Sequence, residues 1–362
     1  MKIAIGGDVC PSYCNRFFES ASAEEIFGDI PDAVSECERF IVNLECALTD
    51  RGAPIEKKGP NLRATPRTAK ILKKIGVTDA TLANNHIFDY GKIGVSDTMA
   101  ALRESGIRFT GFGEDYEDSR KNLWIEAEGK RIAVIDVCEH EYCYALESRR
   151  GARPFDPFDT LLDVRRAKTE ADYVIVLYHG GKEQSPYPSP RLRKACRAMA
   201  ESGADVILCQ HSHCIGCYEW HAGSYILYGQ GNFHFTGECT HPHWQSGLLL
   251  KLELGEKIAV EHIPVVVNGE AIRLAKGKEK KEILALLEHQ SEALTNGKWL
   301  TEWDAFCQSQ SERYLGNIAR VFTDAALPAD EELFAGRMTC EAHLDVIAWL
   351  CKHYWERERE DV

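Results

Sequence analysis

The chain has 362 residues, 44% of them hydrophobic, with 56 acidic against 43 basic side chains and a formal charge of -13. That length suits one large α/β unit plus an accessory region, and the acidic balance argues against general nucleic-acid binding, which needs a basic face to displace counterions from phosphates. The 14 cysteines are scattered through a long chain rather than packed into a small secreted framework, so reduced thiols and a cytoplasmic protein are expected.

The opening Met-Lys-Ile-Ala-Ile-Gly-Gly-Asp runs directly into a strand without the basic and apolar segments of a leader. No run approaches the roughly 18 apolar residues of a membrane span. Lys2 to Gly6 reads as that strand, ending at Gly7 and Asp8. Ser22 to Arg39 reads as an amphipathic helix leading into the strand Phe40 to Leu44. Asn43 and Glu45 then share one face, because residues two apart in extended chain do so. Thr49 to Asn61 is a loop rich in Gly, Pro and charge, where the adjacent Lys57 and Lys58 suit either a solvated loop or a cationic flap over an anionic substrate. Pro near the first turn and Gly at the end mark Pro66 to Gly76 as a helix.

Val77 to Ala83 reads as a strand that stops at Asn84, Asn85 and His86, with the helix Gly91 to Ser105 after it. In open α/β sheets ligands gather where strands give way to helices. An amide oxygen, an imidazole and the Asp89 carboxylate within one turn suit metal holding and proton delivery. The plainer reading is turn and helix capping.

Ile107 to Thr110 is the next strand, followed by a hairpin of Asn122 to Ala127 with Arg131 to Val137. Glu139, His140 and Glu141 come directly after it and are secondary site candidates. Pro157 to Glu170 reads as helix and Tyr173 to Tyr178 as a parallel strand buried on both faces. That strand ends at His179-Gly180-Gly181-Lys182-Glu183. Pro190 to Ser202 is the next helix, and the strand Asp205 to Cys209 ends at Gln210-His211-Ser212-His213. Cys214-Ile-Gly-Cys217 lacks the second pair of a zinc ribbon.

A hairpin of Tyr218 to Trp220 with Ser224 to Tyr228, a glycine-rich return through Gly229 to Phe233, and a final antiparallel pair, Gly247 to Leu254 with Lys257 to Val267, complete the strands. From Lys276 the periodicity is helical, near Lys280 to Thr295, Leu300 to Arg313 and Thr339 to Arg357. This tail shows no cluster of metal ligands. The expected organisation is a main domain over 1–270 and a helical accessory region over 271–362 that packs on or caps it.

Five apolar strands thus end, in order, at Asp8, Glu45, Asn85 with His86, His179, and His211 with His213. Parallel strands alternating with helices bring such ends to one sheet edge. Two carboxylates, an amide oxygen and three imidazoles form a mixed oxygen and nitrogen set suited to Zn, Mn or Fe.

The series Gly6-Gly-Asp8, Asn43-Leu-Glu45, Ala83-Asn-Asn-His86 with Asp89, His179-Gly-Gly with Glu183, Gln210-His-Ser-His213 and Gly231-Asn-Phe233 resembles the bacterial capsule-synthesis CapA family, associated with poly-γ-glutamate. That family is similar to the calcineurin-type metallophosphoesterases. The resemblance covers about residues 1 to 267 and implies a two-sheet α/β sandwich flanked by helices. It implies Asp8 and His213 as ligands of a first metal, Glu45 as the bridging carboxylate, and Asn85, His179 and His211 as ligands of a second. His86 would protonate a leaving group, with Asp89 orienting it. Lys57, Lys58, Asn84 and Glu183 are the expected substrate-binding residues. Two departures stand out: Cys10 occupies the place of the usual His in the first motif, and Glu45 replaces the bridging Asp. The expectation is a hydrolase using one or two divalent ions on a phosphoester or γ-glutamyl anionic substrate. The alternative is a non-catalytic polymer-binding component with a degraded metal cleft.

Overall fold

Side-chain alternation sets the architecture. Along the strand Lys2–Val9, Ile3 and Ile5 enter one apolar cluster while Ala4 enters another. In Lys130–Cys138, Ile132 and Val134 share the cluster of Ile3, whereas Ala133, Ile135 and Val137 face a third. Two sheets are therefore each apolar on both faces, packed against one another in the middle and against helices outside, as the period of two dictates. Burying one such Ile or Val contributes about 1.5–3 kcal/mol.

The computed structural model describes residues 1–236 and 242–357. Its first sheet runs, in spatial order, Ala271–Leu274, Ile258–Asn268, Ser246–Leu254, Lys2–Val9, Arg39–Leu44, Asp79–Thr81 and Arg108–Thr110, with Asn232–His234 pairing beside Asp8 and Val9. The second runs Tyr218–His221, Ser224–Leu227, Val206–Gln210, Tyr173–His179, Lys130–Cys138 and Leu123–Ala127. The centres are parallel: Lys2–Val9 with Arg39–Leu44 and Asp79–Thr81 in one, Lys130–Cys138 with Tyr173–His179 and Val206–Gln210 in the other. The strand ends expected along one sheet edge thus belong to two sheets. Asp8, Glu45 and Asn85 follow strands of the first, and His179 and His211 those of the second.

Three expectations change. Ser22 to Arg39 is not one helix: Ala23–Phe27 and Ile30–Val34 replace it, preceded by a further short helix, Asn15–Ser20, and Arg39 already opens the strand Arg39–Leu44. Ser22 caps Ala23–Phe27 with a reciprocal Glu25 box, and Gly28 at φ +52 stops it, a conformation that costs other residues a Cβ clash. The last antiparallel pair gains a third strand, Ala271–Leu274, which carries the first sheet past residue 270. Among its described residues the tail forms five helices rather than three: Gly277–Asn296, Trp299–Ser309, Ser311–Val321, Pro328–Thr339 and Glu341–Arg357. Leu294, Trp299, Trp303, Tyr314 and Val346 of this tail share one cluster with Val174 and Val176 of the second sheet. Among the described residues, no helix is long and apolar enough to cross a membrane.

Candidate metal centre

Asp8, next to last in the strand Lys2–Val9, is completely buried, and its carboxylate is held from two sides. Asn43 Nδ2 donates to Oδ1 at 2.7 Å, and the backbone N–H of His211 donates to Oδ2 at 3.0 Å across the sheet boundary. Glu45, also completely buried, is different. Its Oε1 lies 3.4 Å from His179 Nε2 and 3.8 Å from His213 Nε2, yet both of its oxygens lack a hydrogen-bond partner. His211 Nδ1 is likewise buried and unpartnered. An unsatisfied buried polar atom costs about 1–3 kcal/mol.

The ligand-type atoms form two groups that share Glu45: Asp8, Glu45 and His213, and Glu45, His179 and His211, each group within 4.8 Å. His179 connects both sides, with Nε2 3.0 Å from Asn85 Oδ1 and Nδ1 3.0 Å from Asn43 Nδ2. His213 Nδ1 faces Asn232 Oδ1 at 2.9 Å, and its ring packs 4.3 Å from that of Trp244. His211 and His213 adopt φ of +87 and +51. Such left-handed backbone is unusual outside glycine and gathers at functional sites, where the surrounding structure holds it.

Charge and burial set the protonation states. Burial, then the neighbouring Asp8, push the Glu45 carboxyl well above its ordinary range. Burial pushes His179 down to about 4 and, with the charge of His179, His211 down to about 3. Both are neutral near pH 7, the form that ligates metals. Burial opposes charge on His213, but Glu45 and Asp8 raise it. Two crowded carboxylates, orphaned oxygens and lone pairs on neutral imidazoles are what a divalent cation would satisfy, so the residues fit one.

The other expected residues surround this centre. Asn85 Nδ2 donates to Glu141 at 3.0 Å. His86, 8% exposed, places Nδ1 2.7 Å from Asp89 Oδ2, with Lys57 Nζ 3.1 Å from the same nitrogen. Burial and then Lys57 lower its pKa against the pull of Asp89. The Lys57 ammonium is almost wholly buried and ion-paired with Asp89, which also accepts the Leu62 N–H at 2.7 Å. Lys58 is half-buried in a cleft of about 570 Å³ with Lys57, Tyr142, Tyr144, Arg149 and Glu332. Burial disfavours charge on Glu183, but Lys182, His211 and His213 hold its pKa at about 2.

Asn84, expected to touch substrate, is instead committed to the protein. Its Oδ1 accepts from the backbone of His86 and Ile87 at 3.1 and 2.9 Å, and its Nδ2 donates to Asn43 Oδ1 and Leu44 O at 3.1 and 2.9 Å. It shapes the turn that delivers Asn85. Cys10 does not stand in for the missing His: its Sγ lies 3.1 Å from Ser12 Oγ within the apolar cluster.

Sequence reasoning gave no role to Asn43, although its place two residues before Glu45 put it on the right face. It ranked Glu141 second. Burial works against charge on Glu141, yet His343, His211 and His86 hold it well below the usual carboxylate range. The tail, expected to be empty of ligand clusters, contributes Cys340 and Glu341 to a third group with Glu139. It also brings His343 to 3.9 Å from Glu141. A His in the first turn of a charged helix carries no signal in sequence that would separate it from a surface residue.

The chain belongs to the bacterial capsule synthesis protein PGA_cap family, whose model matches residues 2–236. It is 32% identical over 184 residues to the capsule biosynthesis protein CapA of Bacillus anthracis, covering 49% of this chain and 45% of that protein. It is 29% identical over 236 residues to the PGA biosynthesis protein CapA of Bacillus subtilis strain 168, covering 64% and 62%. The chain thus spans about half to three-fifths of the length of these relatives. Among solved structures, a hypothetical protein from Thermus thermophilus aligns at a TM-score of 0.45 and 14% identity, covering 72% of this chain and 99% of that one.

Proposed function

We propose that this chain is a metal-dependent hydrolase of an anionic substrate, a phosphoester or a γ-glutamyl bond of the poly-γ-glutamate kind. One observation carries the reading: Glu45 is completely buried between two histidine-bearing groups with neither oxygen hydrogen-bonded. Asp8, Glu45 and His213 would hold one ion, and Glu45, His179 and His211 with Asn85 another, the metal being Mn, Zn or Fe. A bound divalent cation supplies a water of pKa about 7 and polarises the scissile oxygen.

The chain's own groups divide the remaining work. Asp89 and Lys57 hold His86 Nδ1, which leaves Nε2 as the nitrogen that moves a proton to or from substrate. Asp89 favours the charged ring, but burial and Lys57 outweigh it and hold the pKa below the ordinary histidine value. In the adjoining cleft, whose lining also includes Glu56 and Glu332, Lys58 and Arg149 are the cations available to contact an anionic chain. The family membership and the capsule and PGA biosynthesis names of the two relatives support a capsule-polymer context.

The test is metal content and turnover together. Protein supplied with Mn or Zn should cleave a phosphodiester or a γ-glutamyl amide, and the double variant His179→Ala/His211→Ala should lose metal and at least 100-fold in rate. Unchanged metal content in that variant overturns the reading. A non-catalytic polymer-binding component is the second reading, favoured by Cys10 turning into the core where the resemblance places a ligand. Poly-γ-glutamate binding that survives chelation, without turnover, selects it.

A further inference from the structure

The tail helices lie outside the family match, yet the last of them reaches the candidate centre. The first turn of Glu341–Arg357 is fastened to the loop Glu139-His140-Glu141 residue by residue. The Ala342 N–H donates to Glu139 at 3.2 Å. Glu341 accepts the His140 backbone N–H at 2.8 Å and meets its ring Nδ1 at 2.6 Å. His343 places Nε2 3.9 Å from Glu141 Oε1, an electrostatic contact longer than a hydrogen bond.

The opposite edge of that imidazole is fixed as well. His343 Nδ1 lies 2.6 Å from the hydroxyl of Tyr314, a residue with no exposed surface. A carboxylate only accepts, so a proton on Nε2 is favoured facing Glu141, and Nδ1 then accepts from the tyrosine O–H. Glu141 turns its other oxygen to Asn85 Nδ2 at 3.0 Å. With its N–H end taken there, the Asn85 amide must direct Oδ1 toward His179, 3.0 Å away, and the ligand group. The reversed amide would present N–H groups, which cannot bind a cation.

We propose that Tyr314 and His343 are positioning residues which, through Glu141, orient the Asn85 amide in the metal centre, so that helices outside the family match complete the site. This rests on the metal-binding reading above. Outer partners of this kind alter metal affinity by roughly tenfold to a hundredfold.

The experiment is calorimetric titration of Zn(II) and Mn(II), without substrate, into the full chain and three variants, with melting temperatures recorded alongside. His343→Ala should weaken cation binding about tenfold or more. His343→Gln, whose amide N–H can face Glu141, should recover most of it, and Tyr314→Phe should fall between the two. Wild-type affinity in all three variants overturns the proposal, as does equal weakening by Ala and Gln, which a merely structural role would give. Should His343→Ala not fold, unchanged affinity in Tyr314→Phe is decisive against it. No cation binding by the wild type would sink the centre itself, whereas tight wild-type binding with indifferent variants sinks only the positioning role.

Discussion

Asp136 stands in the strand Lys130–Cys138 with 2% of its surface exposed, and its Oδ2 accepts the backbone N–H groups of Leu82 and Ala83 at 3.0 and 2.8 Å. Burial pushes its pKa from 3.8 up to about 8, against those donors and the charge of Arg153. Between these two values the folded chain keeps a proton that the unfolded chain has released. The resulting stability is present in full below about pH 4 and is lost as pH rises through about 8. The urea midpoint should therefore fall from pH 5 to pH 9, and Asp136→Asn should flatten that slope. Parallel slopes for the two proteins would refute this. The same residue pins Leu82 and Ala83 just before Asn84, so a buried acid outside the ligand groups helps aim the turn that carries Asn85 and His86.

At the scale of elements, the approach of Asn232–His234 to Lys2–Val9 supports the group of Asp8, Glu45 and His213. A Cβ on Gly7 would stand 2.4 Å from the Gly231 carbonyl oxygen, a contact no relaxation of a side chain relieves. Gly7→Ala should therefore lower the melting temperature by several degrees, at a cost of about 1–3 kcal/mol. Because Asn232 holds His213, the variant should also reduce metal content; normal content with normal melting would show that the crossing is not required. How far such elements are readable in sequence depends on the signal each leaves. Pro157–Glu170 carries Pro at its start and an Asp156 cap, and its bounds follow directly. Ser22 to Arg39 has helical spacing throughout, and only the conformations demanded at Gly28 and Pro31 split it. The candidate ligands were readable as polar residues that interrupt apolar strands. The backbone inversion at His211 and His213, which aims both rings inward, has no counterpart in residue type.

For the whole molecule, the residue pattern of strands apolar on both faces fits one covered sheet as well as two, and the two-sheet arrangement came from the family resemblance rather than from periodicity. The tail was visible as helix, but not its destination. Trp299, Trp303 and Val346 are apolar residues that any helix bundle would bury, and only tertiary packing sets them on the second sheet.

The contact between the His211 N–H and Asp8 joins residues 203 apart, and that between the His140 N–H and Glu341 joins residues 201 apart. Closing such long intervals is entropically slow and comes late in folding, after the local helices and hairpins have formed. A cation gripped by groups that assemble only after the rate-limiting barrier should leave the refolding rate untouched and slow unfolding alone. Stopped-flow refolding and unfolding with and without Zn(II) would measure this directly. A refolding rate that climbs with cation concentration would mean that the ligands meet before the barrier is crossed, and that the ion helps build the fold that receives it.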